Sequence, residues 1–179
     1  YRRGHISEAE LLEQLDEAVG EARSGDNGAD GVGGRGVSEL LDSYRAAEAS
    51  GARTISQWAD MTADESLAGA LRTVAEREAS HARLLERRLS ELGASPEARV
   101  PEWIEDFNAS ILDPGASDLD RLAAIMGQFP DVDAALAPLL EAAGSIKGDR
   151  LTRELLLTIA EDEAVTLKWV QSTYTSMRG

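Results

Sequence analysis

Apolar residues recur at three- and four-residue intervals through most of this chain, the spacing of amphipathic helices, and strand-like alternation is missing. The first stripe, Leu11, Leu12, Leu15, Ala18 and Val19, predicts a helix over 7–23, with Ser7 and Glu10 placed as a capping box. Glycines at 25, 28, 31, 33, 34 and 36 then disfavour helix and strand alike, so 24–36 reads as a flexible linker. Its run Gly31-Val-Gly-Gly-Arg-Gly36 lacks the Lys-Ser/Thr ending and the preceding strand of a phosphate loop, which argues against nucleotide binding.

Beyond the linker the pattern predicts a helix over about 38–60, with Leu40, Leu41, Tyr44, Ala47, Glu48, Ile55 and Trp58 on or near one face. The next is expected over 64–92, from Asp64 as N-cap to a stop at Gly93, with Pro96 just beyond. The connection 93–117 holds a short helix, Glu102 to Leu112, expected to bury Trp103, Ile104 and Phe107. A further helix begins near Asp118 and is broken or kinked by Pro130 and Pro138. The last runs over 149–177 from its N-cap Asp149. Short turns make two antiparallel hairpins, and the long middle connection lets the second hairpin cross over. The expectation is an all-α four-helix bundle with one long crossover over 37–179, preceded by an appendage of helix and linker over 1–36.

The two hairpins repeat in sequence. Leu71-Arg-Thr-Val-Ala-Glu-Arg-Glu-Ala79 aligns without a gap on Leu156-Leu-Thr-Ile-Ala-Glu-Asp-Glu-Ala164, with six of nine positions identical. The same offset pairs Glu48 with Asp133, Glu78 with Glu163 and His81 with Thr166. Within each hairpin, residues equally far from the turn share one level. Glu48 and Glu78 are each 15 residues from Ala63, and Asp133 and Glu163 are each 15 from Gly148. At ~1.5 Å per residue, all four acids fall about 22 Å from the turns. His81, three residues past Glu78, shares its helix face. Inward carboxylates gathered at one level call for cations, since buried anions otherwise repel or take up protons. Hard oxygen donors with one imidazole suit iron or manganese, with zinc as a further candidate.

Tyr44-Arg-Ala-Ala-Glu48, Glu78-Ala-Ser-His81, and Arg150-Leu-Thr-Arg-Glu154 leading into Ile159-Ala-Glu-Asp-Glu163 resemble the ferritin-like superfamily, its rubrerythrin-type members in particular. The resemblance covers about residues 38–177. It implies a ferritin-like bundle in which four helices supply Glu, Glu-x-x-His, Glu and Glu-x-x-His to two irons. Matched position by position, Glu48, Glu78, His81 and Glu163 fit that set, while Asp133 and Thr166 depart from it. Asp is one methylene shorter than Glu, and a threonine hydroxyl is a poor ligand beside imidazole. With Pro130 nearby, Asp133 also reads as a first-turn residue stabilised by free backbone N–H groups. The resemblance further implies homodimerisation. Glu76, Glu161 and Asp162 fall off the ligand face and read as solvated, and Glu141 is a remote substitute for Asp133. Tyr44 reads as core packing or a hydrogen-bond donor beside the site, Trp58, Trp169 and Leu84 as core or interface, and Val165 and Leu140 as apolar filling of the altered half.

Composition narrows the rest. The absence of cysteine excludes disulfides, iron–sulfur clusters, thiolate zinc sites and any rubredoxin-type centre. A net charge of −15 argues against nucleic acid as a partner. No apolar run approaches the ~20 residues of a membrane span, and the start Tyr1-Arg-Arg-Gly-His5 has no signal-like stretch, so the expected setting is cytoplasmic. Three functions stay open: a di-iron oxidoreductase, a weakened or mononuclear site for binding rather than turnover, and a metal-free scaffold acting through dimerisation or protein binding. The unequal ligand sets of the two halves favour binding over turnover.

Overall fold

A computed structural model describes residues 32–179, with side chains from residue 36 onward, and every regular element among them is helical. The helices are α1 (Val32–Met61), α2 (Glu65–Glu91), α3 (Glu102–Ile111), α4 (Asp118–Gln128), α5 (Val132–Ser145) and α6 (Arg150–Arg178). The helix expected over 7–23 lies outside the described residues. None of the described helices is long and apolar enough to cross a membrane.

Helix ends follow the local chemistry. Asp64 caps α2 by accepting from the backbone N–H groups of Ser66 and Leu67, and Asp149 caps α6 by accepting from Thr152 N. Ser117 and Asp120 form a reciprocal capping box at the start of α4. Gly93, just past α2, and Gly148, in the turn before α6, have φ of 77° and 84°, a region costly for residues with a Cβ. Residues 32–36, expected to be linker, are instead the opening of α1. Once the apolar face from Val37 onward nucleates a helix, each added residue gains a backbone hydrogen bond, which offsets the glycine cost.

The segment from Asp118, expected to break or kink at Pro130 and Pro138, is two helices with the break at Pro130. Helix α4 ends at Gln128, Pro130 occupies the break, and Asp131 caps α5 by accepting from Ala134 N. Pro138 is accommodated inside α5. Helices α1 and α2 form one antiparallel hairpin and α5 and α6 the other, while α4 packs on α6 and α3 touches both α1 and α4. In α3 the buried side chain is Ile111. Trp103, Ile104 and Phe107 are only half-buried, with Phe107 stacked edge-on against Phe129.

The apolar interior has two separate clusters. One joins Leu41, Leu85, Leu89, Leu139, Ala143, Ile146, Leu156 and Ile159. The other joins Trp58, Leu67, Leu71, Ile111, Leu122, Ile125 and Val170. Along α1, α2 and α6, the residues between these clusters include Glu48, Glu78, His81 and Glu163. Two polar clamps secure the connections. Buried Asp42 accepts from the N–H groups of Glu97 and Ala98, both at 2.6 Å, and from Arg45 at 2.7 Å. Asp118 accepts from Trp58 Nε1 at 2.7 Å and from the Thr62 hydroxyl at 2.6 Å.

Candidate metal centre

Three helices bring the ligand-type side chains together. Glu48 comes from α1, His81 from α2 and Glu163 from α6, while Glu78, on the His81 face of α2, is not among the donor atoms that meet. Donor atoms of Glu48, His81 and Glu163 all lie within 4.8 Å of one another. His81 Nδ1 is 3.2 Å from Glu48 Oε2 and 3.6 Å from Glu163 Oε1, while Nε2 is 3.1 Å from Asp162 Oδ2. An ion bound at ~2.1 Å to neighbouring donors would hold them about 3.0–3.4 Å apart, so the His81–Glu48 spacing already fits and Glu163 would have to close in on it. Glu163 Oε1 is buried with no hydrogen-bond partner, an orphan acceptor aimed at that position.

Glu78 is buried beneath the same group. Its carboxylate occupies space that only a glycine leaves free, because a Cβ on Gly51 of α1 would collide with Glu78 Oε2. Gly51 follows Glu48 by one helical turn. A mid-helix glycine without positive φ is explained here by this close approach alone.

Electrostatics follow from the crowding. Burial pushes the Glu78 carboxyl well above the ordinary range, and the charges of Glu163 and Glu48 add to it. Glu163 is raised to about 7 by burial and by Glu48, with His81 and Arg77 pulling in the opposite direction. Burial alone would lower the His81 pKa, but hydrogen bonds to Glu48 and Asp162 outweigh it and the net shift is upward. Tyr44 packs against the first cluster, and burial together with Glu48 pushes its hydroxyl to about 12. Its surroundings match core packing.

Asp133 is not drawn in. It lies exposed in the first turn of α5, where the break at Pro130 puts it among free helical N–H groups rather than at the ligand level. Glu141 is exposed as well, as are Glu76 and Glu161. Asp162, expected to be solvated, instead holds His81 Nε2 and lies 3.9 Å from Arg77 Nη1. The altered half is not filled by Val165 and Leu140, both of which face outward. Thr166 is buried there, accepting a hydrogen bond from Arg77 Nη2 and donating to Asp162 O at 3.3 Å. Of the tryptophans and Leu84, Trp58 is fully buried, Trp169 half-buried and Leu84 exposed.

Arg77, Asp162 and Gly51 are the site residues that helix-face reasoning misses. A signal for the first two exists in the repeat, which pairs Arg77 with Asp162, opposite charges at equivalent positions. Comparison with family models, curated proteins and solved structures returned no match.

Proposed function

We propose that this chain is a ferritin-like, rubrerythrin-type protein whose partly altered carboxylate–histidine centre binds a divalent transition metal, iron first and manganese or zinc as alternatives. The observation that carries this reading is the orphaned Glu163 oxygen facing His81 Nδ1 and Glu48 within bonding range of a common ion. Two carboxylates and one imidazole gathered at one point, with the buried Glu78 carboxyl feeling the charge of both acids, form an anionic donor set whose charge a cation would relieve. Glu48, Glu78, His81 and Glu163 would hold the ion, and the hydrogen bond from His81 to Asp162 would fix the ring so that Nδ1 faces it. A bound iron would supply redox chemistry, and the chain would supply ligands and a dry surrounding. The absence of Asp133 and of a second imidazole from the group supports binding rather than turnover.

The test is anaerobic loading with Fe(II), followed by elemental analysis of metal per folded chain. Wild-type protein is expected to retain iron through desalting, and His81→Ala to lose it with helical content intact. A wild-type chain that stays folded and retains no metal would refute the proposal and leave a metal-free scaffold acting through its surfaces.

A further inference from the structure

We infer that Arg77 is a cation supplied by the protein to the second half of the centre, so that the site takes one divalent ion rather than two. This rests on the metal-binding reading above. The offset that pairs Glu78 with Glu163 also pairs Arg77 with Asp162 and His81 with Thr166. In the structure these four residues form two crosswise contacts between α2 and α6: His81 with Asp162, and Arg77 with Thr166. The first is an imidazole held by an acid. The second, at the equivalent place in the other half, is a hydroxyl held by a guanidinium. The two departures between the copies therefore touch each other and act as one exchange.

That exchange changes the charge where a second ion would sit. A guanidinium carries a delocalised positive charge. Arg77 Nη1 lies 3.9 Å from Asp162 Oδ1, and its Nε is buried with no hydrogen-bond partner. A side chain leaves a donor unsatisfied at a cost, and here the compensation is the field of Glu78 and Glu163, both of which respond to the Arg77 charge. A second divalent cation would meet a fixed positive charge. It would also find few ligands, since the Thr166 hydroxyl is engaged and Asp133 is on the surface. The first half keeps Glu48, His81 and the shared acids.

Mn(II) is the probe, titrated into the full chain with bound metal counted after equilibrium dialysis and its spectrum read by electron paramagnetic resonance. Wild type is expected to saturate at one Mn(II) per chain with an uncoupled six-line signal. R77D/T166H, which restores the acid–imidazole pair, is expected to take two and show a spin-coupled spectrum. R77Q removes the charge on a shorter polar side chain and is expected to bind its single ion more tightly by about tenfold or more, since at an effective dielectric of ~20 a unit charge repels a nearby divalent ion by at least that much. This variant carries the test should R77D/T166H fail to fold. Two ions in wild type would overturn the inference and leave the metal-binding reading standing. No ion in folded wild type would overturn both. Unchanged or weaker binding in R77Q would remove Arg77 from the role proposed for it.

Discussion

Glu163 sets the energetic character of the centre. Its carboxyl is raised from an ordinary value near 4.5 to about 7, so the folded protein holds this proton more tightly than the unfolded chain does. Stability without metal therefore falls as pH rises between those two values. Glu78 is raised in the same sense, and His81, also raised, loses its contribution as pH climbs through its folded pKa. Asp42 and Asp149 act oppositely. Their lowered values, about 2 for Asp149, mean that their contribution disappears only in strong acid. Thermal melts of metal-free protein are expected to peak in mildly acidic buffer and to decline towards neutrality, whereas an added divalent cation flattens or reverses that decline. Glu163→Gln should stabilise the metal-free chain at pH 7.5 by about 1–3 kcal/mol, given ~1.4 kcal/mol per pKa unit and a partly exposed side chain, while abolishing metal retention. Denaturant melts check the first half, and a variant no more stable than wild type would contradict this account of the carboxylate.

At the scale of the helices, the sequence discloses more about ends than about contacts. Asp64, Gly93 and Asp149 announce their boundaries because capping is local chemistry within a few residues. The mirror register anticipates the meeting of Glu48, His81 and Glu163 because a straight helix translates residue count into height, while Glu78 is buried without joining their donor atoms. It fails for Asp133, where Pro130 ends α4 and resets the register, as the proline itself foretells. Arg77 is harder to foresee, since its reach depends on a long flexible side chain and on which residue α6 presents opposite it. Gly51 is illegible for a related reason: a glycine in a helix is unfavourable by itself, and only the depth of Glu78 explains it. Gly51→Ala is accordingly expected to gain about 0.5–1 kcal/mol of helix propensity and still to weaken metal binding, by displacing the Glu78 carboxylate. Circular dichroism with parallel metal titration separates the two effects. Retained affinity in a folded G51A protein would show that the carboxylate has another place to go.

For the molecule as a whole, the division of the apolar interior into two clusters with a charged layer between them has a consequence for cooperativity. Apolar contacts are what couple distant parts of a small domain into a single transition, and this layer interrupts them. Coupling across it in the metal-free chain falls to the helices themselves, to small buried residues such as Ala46, Val74 and Ala82, and to polar contacts such as His81 with Asp162. Scanning calorimetry of metal-free protein at neutral pH should thus give a calorimetric enthalpy larger than the van't Hoff value, the mark of partial uncoupling. An ion seated between α1, α2 and α6 would join the two ends, and the ratio of the two enthalpies should return to one. A ratio of one in both states would mean that the backbone alone carries the coupling. With the ratio restored by the ion, the centre acts as a mechanical keystone as well as a binding site, and its occupancy is legible in how the protein melts.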